Sequence, residues 1–372
     1  MRFPAHVIDP HIHQWDPFTT PRVVSKEARL LRPLPRVPRA ARWLLPLADR
    51  EFAGDPHHLL RPYLPADYLS DTRGTGRGGD SAGAVPVGTV VHVEASWDAA
   101  GPFETVEETR WVASLPWERD GAPRLGGIVV AVDPRSEEAG AVLDAHLDAS
   151  PLVRGVRFKT THHPDPGVRD FTDTAGLLAD PTLRDGFAAV AERGLSSELW
   201  CYAHQLPDAL PLVDAYPETT FVLDHHGTPA GVLGPVGAGT GRDARRRRGL
   251  LERWRDAVAA LGARPNVVAK QSGLGMGALG SPTGEVARPR TVGSAAYDAL
   301  LEAAAPLVRH THDVFGSDRT MWASNFPVDK PRMTLPATVR IVLDALGADA
   351  DPQALLHDVA VRVYRLDTGP PD

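Results

Sequence analysis

Short β-branched runs alternate along the chain with longer amphipathic stretches, the pattern of repeated strand–helix units. Eight runs have strand character: His6–His13, Thr89–Ser96, Gly127–Val132, Val153–Lys159, Leu195–Tyr202, Thr220–His226, Asn266–Ser272 and Met321–Phe326. Between them, apolar positions recur at helical spacing over Phe103–Leu115, Ser136–Ala149, Pro181–Arg193, Arg245–Leu261 and Tyr297–Phe315. A last helix, Pro352–Tyr364, is expected to close the outer ring. Asp180-Pro181 and Asp351-Pro352 each offer an N-cap carboxylate followed by proline at the first helical position. Eight such units close a (β/α)8 TIM barrel, an α/β fold. A doubly wound open sheet would instead carry a glycine-rich turn after its first strand. Here that turn reads His11-Ile12-His13-Gln14-Trp15-Asp16, which favours the barrel.

The chain has 372 residues, whereas a minimal barrel needs about 250. The surplus falls in three stretches, 17–67, 228–248 and 274–293, and nothing between units reads as a domain linker, so residues 1–372 form one domain. The first stretch is rich in proline and arginine, with Trp43, Leu44 and Leu45 to anchor it. The second is glycine-rich and ends in Arg245-Arg246-Arg247-Arg248, which reads as the solvated face of a helix. All three follow a predicted strand, which places them over the carboxyl mouth as lid and substrate-selecting loops. Arg73–Gly83 precedes a strand and reads as a mobile connector on the opposite face.

Charge narrows the range of partners. Forty Lys and Arg stand against 47 Asp and Glu, a formal charge of −7, so attraction to nucleic acid or to an anionic membrane is not built in. No apolar run approaches the roughly 20 residues of a membrane span, and the amino terminus lacks a signal-peptide core. The single cysteine, Cys201, excludes an intramolecular disulfide and points to a reducing, cytoplasmic compartment. A small-molecule substrate is therefore expected. A homo-oligomer stays open, because Trp43 and Trp117 suit core, lid or dimer interface equally.

The chemistry gathers at strand ends. Residues two apart on a strand share a face, so His11 and His13 point the same way, and Asp9 joins them if the parity holds. Two inward imidazoles need partners for their ring nitrogens, either a divalent metal or a substrate carboxylate. Strand five runs into His204, strand six ends in Asp224-His225-His226, and strand eight ends in Ser324-Asn325-Phe326-Pro327-Val328-Asp329. Adjacent His225 and His226 face opposite ways, so one of them serves the mouth. Glu94, Arg157, Lys159 and Lys270 also lie near carboxyl ends; Lys159 reads as an ordinary ion-pair member. Together these residues describe a polar pocket suited to an anionic substrate and to acid–base work.

The string Val7-Ile8-Asp9-Pro10-His11-Ile12-His13-Gln14-Trp15-Asp16-Pro17 resembles the opening of the amidohydrolase-related TIM-barrel hydrolases, in the sugar-lactonase-like and 2-pyrone-4,6-dicarboxylate lactonase-like branch. Val93-Glu94-Ala95, Gly155-Val156-Arg157-Phe158, His204-Gln205-Leu206-Pro207, Leu223-Asp224-His225, Lys270-Gln271-Ser272-Gly273 and Ser324-Asn325-Phe326-Pro327 extend the resemblance, in order, across the barrel. It implies a divalent cation, usually zinc, on His11, His13 and His204, with His225 orienting the substrate. The family's metal-binding, proton-accepting aspartate falls at Asn325, and an amide neither neutralises a dication nor accepts a proton from water. Three imidazoles could still hold a metal, or the site could work metal-free with His225 or the displaced Asp329 as base. Glu94, Arg157 and Lys270 are the expected substrate-binding residues. The resemblance implies a hydrolase opening a lactone or similar cyclic ester; the alternatives are a metal-dependent decarboxylase and a non-hydrolytic biosynthetic or ligand-binding barrel.

Overall fold

Eight parallel strands follow one another round a single sheet in chain order. They are β1 (Val7–Ile12), β2 (Val87–Val93), β3 (Arg124–Ala131), β4 (Val153–Arg157), β5 (Ser196–Leu199), β6 (Phe221–Leu223), β7 (Val267–Gln271) and β8 (Thr320–Trp322). The computed structural model describes residues 3–23, 30–31, 33–34, 36, 38–53, 55–74, 83–172, 174–286 and 288–367. Most of the expected connector Arg73–Gly83 lies outside the described residues. The sheet closes past the end of β8: Ile12 bridges Phe326 in parallel, the His13 amide donates to the Phe326 carbonyl (2.8 Å), and the Asn325 amide donates to the His11 carbonyl (3.0 Å). This is a (β/α)8 barrel. Strands buried on both faces read as continuous apolar runs rather than as alternating ones, as in β6 and in Val267–Ala269 of β7.

The outer ring is α1 (Pro65–Thr72), α2 (Val106–Ser114), α3 (Ala139–Ala149), α4 (Pro181–Gly186), α5 (Leu206–Ala215), α6 (Ala244–Gly262), α7 (Ala295–Phe315) and α8 (Leu335–Leu346). Asp180 caps α4 as expected, accepting from the Thr182 amide at 2.9 Å. The arginine run opens α6, where Arg246 pairs with the N-cap Asp243 at 2.6 Å on an exposed surface.

Two expectations need correction. The ring is completed by α8, which packs on α7 and α1, and not by the C-terminal helix. That final segment, a π-helical turn Ala354–Asp358 running into α9 (Val359–Tyr364), packs against the lower barrel. Val359, Val363 and Tyr364 pack there on Ile8, Val129, Val222, Val268 and Met321. The segment's apolar face resembles that of a ring helix, so periodicity alone could not separate the two. Secondly, β1 carries a register shift between Asp9 and Ile12. The shift turns Asp9 away from the histidines towards Tyr68 of α1, whose hydroxyl donates to it at 2.7 Å. Asp9 also accepts from the Ser324 amide (3.0 Å) and the His11 amide (3.3 Å), so it joins both sides of the barrel's closure.

Tyr364 reaches inside the barrel and donates its hydroxyl to Glu198 of β5 at 2.6 Å, with both side chains buried. Tyr364→Phe keeps the ring's packing but leaves that carboxylate oxygen short of a donor. A loss of about 1–3 kcal/mol is expected, the ordinary cost of an unsatisfied buried group, read as a lower urea midpoint at unchanged slope.

Candidate active site

The upper half of the barrel is filled with charge. Lys270 of β7 is fully buried; its Nζ lies 2.6 Å from Glu198, 3.1 Å from His11 Nδ1 and 3.3 Å from Asp224. Burial, then the neighbouring Asp224 charge, drives Glu198 towards its protonated form, against the pull of Lys270. Arg157 of β4 donates from Nε to Glu94 at 2.8 Å, and a second nitrogen lies 2.6 Å from the same oxygen. The other Glu94 oxygen takes Lys159 at 2.9 Å and the Ser96 amide at 3.0 Å. Burial opposes the Glu94 charge, but Arg157 and Lys159 outweigh it and hold the carboxyl down to about 2. Arg157 also lies over the Trp200 ring, 4.7 Å from its centre, and its Nη1 stands 3.5 Å from His11 Nε2.

Three imidazoles meet above this layer. The His11 ring centre is 5.0 Å from that of His13 and 4.6 Å from that of His225. Each is held neutral by burial first and then by nearby cations: Lys270 for His11, Arg157 for His13, and Arg157 with Lys270 for His225. His13 Nδ1 lies 2.8 Å from the Val93 carbonyl, so that nitrogen carries the proton and Nε2 is bare. His225 Nδ1 lies 2.9 Å from the Ser272 hydroxyl. His226 points the other way, to Thr311 at 3.1 Å, and burial lowers it to about 3.

Backbone strain gathers at this mouth. Ser96, His225, His226, Thr228 and Asn325 all have positive φ, between 41° and 65°. Such conformations cost L-residues about 1–3 kcal/mol each and recur where side chains must be aimed. Gly273 serves the same geometry: at its φ of 74°, an added Cβ would stand 2.7 Å from the Cβ of His225.

The expected residues do not all come together. His13, Glu94, Arg157, His225 and Asn325 line one open cavity. His11 and Lys270 lie in the polar layer beneath it. His204 does not join them: it is exposed on the turn before α5, its ring 5.2 Å from that of His163. The turn after β5 carries Gln205 inward instead, where it ties the Tyr202 and His162 amides to the Thr160 carbonyl. Asp329 is buried behind Asn325, accepting from the Asn325 side-chain amide (2.9 Å) and the Gly275 amide (2.9 Å). It is therefore a support for Asn325 and not a group facing the cavity. Burial raises Asp329 to about 7.

Asp224 and Glu198 were absent from the expected set. Asp224 ends the run Val222-Leu223-Asp224, and its parity with inward Val222 was a usable signal. Glu198 and Lys270 are charges inside strands, a pattern that signals a buried pair. Among the described residues, His11, Asp224 and His225 form the one group able to hold a metal ion, their ligand atoms lying within 4.8 Å of one another. Both Asp224 oxygens are buried, one 3.2 Å from His11 Nδ1 and 3.3 Å from Lys270 Nζ and the other 3.8 Å from Arg157, and this His–Asp set, rather than the expected His11, His13 and His204, brings its ligand atoms within reach of one divalent cation.

A closed parallel barrel with histidines, a buried carboxylate and strained loops at its carboxyl mouth defines the class of barrel enzymes. The amidohydrolase family profile matches residues 8–366, and the chain belongs to that family. It is 28% identical over 362 residues to the uncharacterized protein y4mH of Sinorhizobium fredii, covering 97% of this chain and 98% of the relative. It is 28% identical over 234 residues to the L-fucono-1,5-lactonase of Burkholderia ambifaria, covering 60% of this chain and 66% of that one. An amidohydrolase from Burkholderia multivorans, solved with bound zinc, superposes with a TM-score of 0.65 at 21% identity, over 97% of this chain and 100% of that one. A proposed 2-pyrone-4,6-dicarboxylic acid hydrolase from Pseudomonas putida superposes at 0.53 and 20% identity, over 97% and 98%.

Asn325→Asp sets two carboxyls where an amide and a carboxyl now meet at 2.9 Å, so one must keep a proton. A carboxyl raised in the fold holds a proton that the unfolded chain has released, so stability falls as pH rises from 3.8 to about 7 for Asp329 in the native protein. In the variant the fall continues above pH 8, at about 1.4 kcal/mol per unit, measured by denaturant titration between pH 6 and 9.

Proposed function

We propose that this chain is a hydrolase that opens a lactone, or a similar cyclic ester, of a small anionic substrate. The observation that carries the reading is the neutral imidazole of His225 on the cavity floor, backed by Ser272 and set between Arg157 and Asp224. The lactonase relative supports the reaction class.

In the tautomer whose Nδ1 donates to the Ser272 hydroxyl, His225 turns a bare Nε2 to the cavity. Water attacking the lactone carbonyl passes a proton to that nitrogen as its oxygen bonds to carbon. Arg157, fixed by two contacts to Glu94, faces the oxyanion that develops, and its geometry needs no reorganisation as charge builds. The ring carbon–oxygen bond then breaks, and the leaving alkoxide takes the proton back from His225. One water is consumed, and the new acid releases one proton to solvent.

A divalent cation held by His11, Asp224 and His225 would supply Lewis acidity at the carbonyl oxygen. The route through His225 as base does not draw on it, because Lys270 already stands as a cation between His11 and Asp224. Each further unit of positive charge within about 4 Å of that ammonium costs about 4 kcal/mol at the dielectric typical of such sites.

Lactone opening, followed by pH-stat with carbon dioxide release as a control, is expected to persist after exhaustive chelation. His225 is depressed, so its neutral form survives to low pH; the acid limb of kcat/KM should lie well below pH 6.5. His225→Asn should lower kcat by about a hundredfold or more. Activity lost on chelation and restored by zinc would make His225 a ligand and overturn its role as base. Carbon dioxide release without ring opening would overturn the hydrolase reading.

A further inference from the structure

The cavity changes character with height. Its floor is polar, but its walls are Trp15, Leu45, Phe52, Leu60, Phe171 and Trp200. The aromatic members are already in contact: Phe52 and Phe171 meet at 5.1 Å and 71°, and Phe171 and Trp200 at 4.5 Å and 53°. The polar wall groups are committed elsewhere. Arg22 lies 3.7 Å over the Trp15 ring and donates to the carbonyls of Ala95 (3.2 Å) and Leu59 (3.0 Å). Arg169 pairs with Asp49 and lies between the rings of Phe52 and Phe171.

We infer that the group attached to the scissile ring is flat and apolar, an aryl or unsaturated ring, and not a polyhydroxylated chain. This rests on the lactone-hydrolase reading and names its substrate class. A sugar lactone brings several hydroxyls, each needing a partner once buried, and these walls offer aromatic faces instead. A flat ring loses little conformational freedom on binding and leaves no hydroxyl unpaired against these apolar walls. Leu45, Phe52 and Leu60 come from the insertion after β1, so that segment supplies the selecting surface.

The test compares two carboxylate-bearing δ-lactones on the full-length protein, one fused to a benzene ring and one polyhydroxylated. The aryl lactone is expected to have the higher kcat/KM by about tenfold or more. Phe52→Ala should raise KM for the aryl lactone at least fivefold more than for the sugar lactone, and Phe52→Leu should recover most of that loss. A preference for the sugar lactone, or equal effects of Phe52→Ala on both, overturns the inference while leaving the lactonase reading intact. If neither lactone opens, the lactonase reading fails. The inference is then decided by tryptophan fluorescence titration with the two ring-opened acids: tighter binding of the aryl acid upholds it, and equal or tighter binding of the polyhydroxy acid overturns it.

Discussion

Lys270 sets the terms for everything above the middle of the barrel. An ammonium with no solvent exposure is tolerable only among close counter-charges, since an unpaired buried charge costs several kcal/mol. Asp224 supplies the charge and Glu198 a hydrogen-bonding oxygen at 2.6 Å, and each makes its own demands: Glu198 takes Tyr364, and Asp224 draws in His11 and Arg157. Arg157 in turn needs Glu94, and Glu94 needs Lys159 at the rim. A ladder of alternating sign thus runs from the barrel's centre to its mouth. Burial, reinforced by the cationic rungs beside them, keeps the imidazoles neutral.

Above that ladder, the backbone rather than the side chains stores the cost of precision. Left-handed residues close β2, β6 and β8, and they carry Ser96, His225 and Asn325 into place. The loops beyond are pinned by conventional means. Asp165 accepts from the amides of Ala238, Gly239 and Thr240, and so ties the β4 loop to the β6 loop. Soft loops would let the floor residues wander; here the strain is held by a rigid surround.

The fold was largely legible because eight buried parallel strands leave eight apolar runs in order. Arg157, His13, His225 and Asn325 were legible as strand-end polar residues, since a barrel brings its carboxyl ends to one mouth. Parity through β1 failed because a register shift leaves no mark in Asp9-Pro10-His11 beyond the proline itself. His204 was carried over from a motif whose neighbour, Gln205, takes the inward position here. Asp224 was overlooked beside a more conspicuous histidine pair, although its spacing from Val222 pointed inward. Trp43 and Leu44 were expected to anchor the first insertion, yet they are 63% and 67% exposed, and Leu45 packs with Leu31 and Leu60 instead. A run of three apolar residues does not say which one turns inward.

The contact between Tyr364 and Glu198 also has a temporal side. A barrel of this kind emerges from the ribosome strand by strand, and its early units can begin to pair while the rest is still being made. The charged layer, however, receives one hydrogen bond from a residue that follows all eight strands in sequence, so its full set of partners assembles only after the barrel's last strand is made.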